Sequence, residues 1–401
     1  MIDFSSVPMS RQITLRTVMR TVMDRGPISR AELARITGLS KQTMSEVFRF
    51  LEDDGWLEVT GRTQGAVGRS AATYEITPNR ALVFGADVGG TKIQAALADM
   101  NGKIVAESVE ATDPRGGEHV MSQLVSLNAS LAEKAGLAPE RVMVGTVGIP
   151  GAYNRKTGKL IMVPNIPDLE GVPLQAILTE RMGCMVHIGN DVNMAAKGEQ
   201  WLGEGKGFSN FVFIALGTGI GMGIINERQI LNGARGAAGE IATLPIGADP
   251  FDSRTFHSGA LETMVGSAAI RDRYESYGGT PGLSVRDIMD RIDAGDERAR
   301  ATVGEVARNI AAAILAVSAI VDPERVILGG SIGARPELLE RVRAALPLCM
   351  PSPPECTISQ LGSRAGLYGT LANSIDHMRE NLFELPRYAP LEMQAVPEAP
   401  K

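Results

Sequence analysis

Only three cysteines occur in the 401 residues, Cys184, Cys349 and Cys356. They lie far apart, without the short spacings that ligate zinc, so a disulfide-stapled scaffold and a zinc ribbon are excluded. Long apolar runs are also missing. Phe211–Ile225 is interrupted by glycine and Ile310–Val321 is too short to span a bilayer. No basic segment followed by an apolar core opens the chain, so no signal peptide and no membrane partner are expected, and a cytoplasmic location is. Neither a Gly-x4-Gly-Lys-Ser/Thr loop nor a Rossmann fingerprint follows the first strand of the body. Charge of one sign is modest. The net charge is −6, with eleven Lys/Arg against nine Asp/Glu in residues 1–80 and 29 against 37 beyond. What is present is a 44% hydrophobic chain with 45 Gly and 22 Pro, enough for two or three packed units.

The first eighty residues carry the pattern of a winged helix-turn-helix. Leu15, Val18, Met19, Val22 and Met23 recur at helical spacing, predicting a helix over 11–24 that Gly26-Pro27 ends. Ser29-Arg30-Ala31-Glu32 reads as a reciprocal capping box opening a short helix, 30–37. Gly38-Leu39 turns the chain, and Ser40 caps a third helix with Met44, Val47, Phe48 and Leu51 facing inward. Two extended segments, Trp56–Thr60 and Thr73–Ile76, flank a loop with Gly and Arg. In such a unit the third helix enters the major groove, which makes Ser40, Lys41, Gln42, Thr43, Ser45 and Arg49 the expected DNA contacts. The wing adds Arg62 and Arg69 for phosphate or a narrow minor groove.

From Ala81 the composition changes. Leu82–Val88 reads as a buried strand, and Asp87-Val88-Gly89-Gly90-Thr91-Lys92 joins it to a second strand over 93–98. Paired glycines admit close backbone approach, and successive amides with a Thr hydroxyl can wrap phosphate oxygens. The same device recurs at Gly217-Thr218-Gly219, after the strand Phe211–Leu216, and at Gly329-Gly330. Between these loops, strand Met185–Ile188 runs through Gly189-Asn190-Asp191 into a helix. Asp191 there is either a helix cap or a base for a substrate hydroxyl. Gly151, Asn165, Glu240 and Glu262 sit in other loops; carboxylates and amides converging from several loops suit a polyol, whose hydroxyls each need a partner on leaving water.

These residues, in this order, resemble the ROK family of bacterial sugar kinases and sugar-responsive repressors over 10–375. The winged head resembles the repressor branch, similar to the xylose and N-acetylglucosamine repressors. The resemblance implies an α/β body, 81–375, with a two-lobed actin-like (ribonuclease-H-like, sugar-kinase-type) fold behind the 1–80 head, and a Pro-containing tail, 376–401. It implies nucleotide binding at Asp87, Gly89, Gly90, Thr91, Lys92, Gly217, Thr218, Gly219, Gly329 and Gly330. Sugar would bind at Gly151, Asn165, Asn190, Asp191, Glu240 and Glu262.

The chain departs from the family where Gly-Glu-Ile-Gly-His and a zinc-binding cysteine cluster are usual. It reads Gly239-Glu240-Ile241-Ala242-Thr243, then Phe251–Gly259 without a thiol. A lone His257 cannot complete a four-ligand site, so no metal is expected and structural zinc is expected absent. The first phosphate loop is complete, which keeps MgATP open as a ligand. Two readings follow. One is a sugar-responsive repressor of carbohydrate genes, needing no cofactor for DNA binding, acting as a homodimer or tetramer on an inverted repeat. The other is an ATP-dependent sugar kinase with Asp191 as base and an accessory head.

Overall fold

The computed structural model describes residues 8–62, 70–163 and 165–383. Contacts divide them into a head, drawn from residues up to 82 with 99–101 and from 375 onward, and a body covering 83–98 and 102–374.

In the head, α1 (Met9–Arg25) buries Leu15, Val18, Met19 and Val22. After β1 (Ile28–Ser29) comes α2 (Arg30–Thr37), which ends at Gly38 with φ +69°, a left-handed cap that favours glycine. Ser40 accepts the Thr43 amide at 3.1 Å and opens α3 (Lys41–Asp53), whose inner face is Met44, Val47, Phe48 and Leu51 as expected. The hairpin of β2 (Leu57–Arg62) and β3 (Ala72–Ile76) joins β1 in a sheet of order β1-β3-β2. Arg30 lies 4.7 Å from the Phe48 ring centroid and 5.0 Å from that of Tyr74, and it pairs with Glu52 at 2.6 Å. The reciprocal capping box expected at Ser29 is half made. Ser29 accepts the Glu32 amide at 3.3 Å, but the Glu32 carboxylate lies 3.8 Å from Arg35. Ser29 is already a strand residue, in register with Thr73 of β3.

The body begins with β4 (Leu82–Val88), β5 (Lys92–Asp99), β6 (Ile104–Ala111), α4 (Gly117–Lys134) and β7 (Val142–Ile149). A small ribbon, β8 (Ala152–Asn154) and β9 (Lys159–Ile161), precedes α5 (Leu174–Met182), β10 (Met185–Asn190) and α6 (Asp191–Leu202). A second set follows: β11 (Phe211–Leu216), β12 (Ile220–Asn226), β13 (Gln229–Ile230), α7 (Glu262–Val265), α8 (Ser267–Ser276), α9 (Val285–Asp293) and α10 (Glu297–Val321). It ends with β14 (Arg325–Gly329), α11 (Gly330–Gly333), α12 (Pro336–Cys349), β15 (Glu355–Ile358) and α13 (Ala365–Phe383).

Both five-stranded sheets have the same plan. Reading β6-β5-β4-β7-β10 and β13-β12-β11-β14-β15, each places its first strand in the centre, its second and third to one side and its fourth and fifth to the other. That duplication is the expected two-lobed, ribonuclease-H-like body. Strands β4 and β11 are apolar nearly throughout because each is central and covered on both faces. Helix α10 is long and apolar enough to cross a membrane by composition, alone in this among the described residues. Ten of its residues are buried, and Val303, Val306, Ile310 and Ile314 pack into the core of the second lobe.

The tail expected to loosen from 376 does not do so there. Helix α13 continues to Phe383, with Met378 and Leu382 buried, because its end packs in the head, where Arg16 donates to the Asn381 carbonyl at 3.3 Å.

Candidate functional site

Strands β4 and β10 lie two places apart in one sheet and β11 is central in the other, and the groups at their ends meet: the Asp87 and Asp191 carboxylates interact, and Gly221, at the start of β12, packs on Val192. Asn190 is the cap of α6: its Oδ1 accepts the Asn193 amide at 2.9 Å, while Nδ2 donates to the Gly151 carbonyl at 3.0 Å. Asp191 is therefore not the cap. It occupies the first helical position, where its Oδ1 accepts its neighbour's amide, Val192 N, at 2.9 Å. The glycine turn after β4 closes through the Gly89 amide on the Lys92 carbonyl at 2.9 Å, and the Thr112 hydroxyl donates to the Gly89 carbonyl at 2.7 Å. Asn165 packs on this turn, since a Cβ on Gly90 would lie 3.0 Å from the Asn165 Cβ. Thr91 and Lys92 are exposed.

Four carboxylates face one another in this cleft. Burial first, and then the Asp191 charge, push Asp87 up to about 7 against the pull of Lys92. Asp191 is also raised by burial, against the Val192 amide. Glu240 is raised by burial, then by the charges of Asp191 and Glu262. Glu262 is raised by burial and held down in part by the Ile220 amide, which donates to its Oε2 at 3.0 Å. That bond ties Glu262 to the second glycine turn; a Cβ on Gly219 would stand 2.1 Å from the same oxygen. Four acidic side chains in one place make the cleft richer in hydrogen-bond acceptors than in donors.

The third glycine pair is held by packing. A Cβ on Gly330 (φ +81°) would meet the Leu216 carbonyl at 2.4 Å, and one on Gly329 the Phe213 ring at 2.3 Å. The close fit sets Ser331 beside Gly217, and a cavity of about 280 Å³ opens next to them. Its walls include Thr218, Ser267, Val285 and Met289, with guanidinium groups from Arg271, Arg286 and Arg335, the last of which is paired with Asp290 and Glu337. The residues fit a phosphate-bearing ligand: hydroxyls and guanidinium groups over an apolar floor. Sequence reasoning missed all three arginines, which have no periodic or motif signature. It also missed Gly366, where a Cβ would fall 2.6 Å from the Asp87 carboxylate.

The segment Phe251–Gly259 is tied together by hydrogen bonds of its own. Thr255 is buried, and its hydroxyl donates to the carbonyls of Asp249 and Asp252 at 3.1 and 2.8 Å; Asp252 also holds Arg254. Among the described residues no group of three or more His, Cys, Asp or Glu is placed to hold a metal ion. Thr243 is exposed, its hydroxyl turned back onto the Glu240 carbonyl at 2.9 Å.

In the head, Lys41, Gln42, Ser45 and Arg49 are exposed along one side of α3, and Arg62 is exposed at the end of β2. Ser40 and Thr43 share a hydroxyl bond of 2.8 Å at the helix start. Arg69 lies outside the described residues.

Residues 83–375 match the ROK family, and residues 11–58 match the winged helix-turn-helix DNA-binding family. The chain belongs to the ROK family. Joined to its ROK body is a DNA-binding head, and relatives of both kinds share that body. A xylose repressor from Caldicellulosiruptor bescii is 26% identical over 399 residues, spanning 94% of this chain and 98% of the repressor. A ROK family transcriptional regulator described as a homologue of the Escherichia coli MLC protein superposes with a TM-score of 0.75 at 23% identity, over 93% of this chain and 98% of that one. The ROK glucokinase of Streptomyces griseus, solved with glucose and AMPPNP, has a TM-score of 0.60 at 27% identity, over 74% of this chain and 99% of the enzyme. It covers no more than the body, whereas the regulators run through the head as well.

Proposed function

We infer that this protein is a sugar-responsive transcriptional repressor of carbohydrate uptake or catabolism genes, cytoplasmic and dimeric, that binds an inverted repeat. The observation that carries the sugar assignment is the convergence of Asp191, Glu240 and Glu262, all raised by burial, beside Asn190. Hydroxyl groups donate to such carboxylates and relieve their burial; a sugar offers several in one rigid body. Gly151 and Asn165 complete the proposed sugar contacts. Sugar changes DNA affinity to the extent that it binds one conformation of the protein better than the other. The proposed DNA contacts are Lys41, Gln42 and Arg49 on α3 with Arg62 and Arg69 of the wing, and no cofactor is required for that binding.

Fluorescence anisotropy with the native upstream duplex at low salt tests the reading, because phosphate contacts dominate affinity. The expected result is binding that one sugar of a hexose, pentose and amino-sugar panel weakens. No binding at low salt, with or without sugars, overturns it.

A second reading has its own support. The turn Asp87–Lys92, the turn Gly217–Gly219 and the adjoining 280 Å³ cavity would together hold MgATP, which supplies a transferable phosphoryl group. Asp191, with its affinity for protons raised, is suited to take the proton of a sugar hydroxyl. ADP release that depends on a sugar and disappears in Asp191→Asn would establish kinase activity.

A further inference from the structure

On the reading side of α3, several polar groups are already engaged within the helix. Ser40 caps Thr43 and bonds its hydroxyl, and Ser45 donates to the Lys41 carbonyl at 2.9 Å. The exposed side chains left to address a base are Lys41, Gln42 and Arg49, and among them stands an anion, Glu46. A carboxylate on a surface built to meet phosphates lowers affinity for every duplex alike. Its structural partner is Gln42, one turn earlier on the same face, whose Nε2 donates to Glu46 Oε1 at 3.3 Å.

We propose that Glu46 fixes the orientation of the Gln42 amide and thereby makes Gln42 a selective reader of adenine. The inference rests on the DNA-binding reading of α3. An ionised carboxylate only accepts hydrogen bonds, so it holds the N–H2 end of the amide and turns the carbonyl the other way. One N–H is then occupied by Glu46, leaving the second N–H and the carbonyl oxygen side by side. That donor–acceptor pair matches N7 and the N6 amino group of adenine. Turned over, the amide would offer its N–H2 to O6 of guanine or O4 of thymine, and Glu46 opposes that turn because its oxygens would then face the amide oxygen. Glu46 is thus a positioning residue, giving up general affinity for discrimination at one base.

Selection of the full chain against a randomised duplex pool at low salt defines the preferred site. Competition anisotropy with all four bases at each position then compares wild type with Glu46→Ala, Glu46→Gln and Gln42→Ala. Wild type is expected to prefer adenine at one position per half-site by about tenfold or more. In Glu46→Ala and Glu46→Gln that preference should fall to about threefold or less at the same position, while both variants bind all duplexes somewhat more tightly. Gln42→Ala should abolish it. The ratio between bases is insensitive to the uniform gain from removing an anion, so it separates positioning from simple electrostatics. An unchanged preference in Glu46→Ala overturns the proposal. So does a loss confined to a cytosine at another position, which would make Glu46 itself the reader. If wild type enriches no duplex, the DNA-binding reading fails first and this inference with it.

Discussion

Replacing Asp87 by Asn should stabilise this protein at neutral and alkaline pH. The Asp87 carboxyl ordinarily loses its proton at 3.8 and in the folded cleft holds it to about 7. Between those values the folded chain binds more protons than the unfolded one, so stability falls as pH rises through the window. Above it the cost is fully present. At about 1.4 kcal/mol per pH unit the interval corresponds to a ceiling of about 4 kcal/mol, shared with Asp191 because the two charges raise each other's cost. Asn keeps the shape and removes the charge. Urea unfolding followed by far-UV circular dichroism, at pH 4, 6 and 8, should place the Asp87→Asn midpoint above wild type at pH 8. The difference should shrink at pH 6 and become small near pH 4, close to the unfolded carboxyl's own 3.8, because the wild-type group is protonated in both states only below that value. A variant equal to or less stable than wild type at pH 8 would refute the reasoning, and would mean that Lys92 compensates Asp87 in full. The same variant should lose any stabilisation that wild type gains from MgATP, so the gain in stability comes with a loss of ligand response.

Gly369→Ala should be severe. Its Cβ would stand 1.6 Å from the Met194 carbonyl and 2.9 Å from the Gly198 amide, backbone that cannot step aside, so a loss of about 3 kcal/mol or insoluble expression is expected; a wild-type urea midpoint would contradict it. Arg16→Met keeps the apolar stem and removes the bond to Asn381, so amide exchange should quicken in α1 and the last turn of α13, by about 1–2 kcal/mol of local stability, and not in the body. Protection unchanged in α1 would show that Arg16 does not anchor that helix. Glu240→Gln should weaken the sugar that shifts the melting temperature by about tenfold or more, measured by calorimetry, while leaving sugar-free DNA binding intact. Equal affinity in the variant would remove Glu240 from the sugar contacts.

Local patterns made much of this molecule legible. Met44, Val47, Phe48 and Leu51 repeat at helical spacing behind Ser40, and their burial follows from that spacing alone. The bounds of β4 and β11 were readable because a central strand is a largely apolar run followed by a glycine turn. Features set by distant parts of the chain were not. Whether Ser29 could receive Glu32 depended on Thr73, and whether 376–383 stayed helical depended on Arg16 and the rest of the head. Asp191 could be read from the sequence as a helix cap or as a base; the Asn193 amide on the Asn190 Oδ1 gives the cap to Asn190 instead. Arg271 and Arg286 lie on different helices and become a pair only through the cavity they share.

The glycines of the cleft show why a phosphate-loop motif and a phosphate-transfer activity are separable. Gly219 is required by the Glu262 carboxylate, which a Cβ would meet at 2.1 Å, and Gly90 by Asn165 at 3.0 Å. Gly366 is required by Asp87 in the same way, at 2.6 Å. These contacts exist between protein groups, so each glycine is needed to seat an acidic or amide side chain whether or not a nucleotide ever binds. Losing Gly219 would displace Glu262, and with it one of the proposed hydroxyl acceptors of the cleft. A regulator that senses sugar alone therefore has a physical reason to keep the turn. What a phosphoryl-transfer reading needs in addition is a proton acceptor at Asp191 and cations at Lys92, Arg271 and Arg286 acting on a bound phosphate. Gly219→Ala separates the two demands: it should impair sugar binding even in the absence of nucleotide, and sugar binding left at the wild-type level would assign that glycine to the phosphate instead.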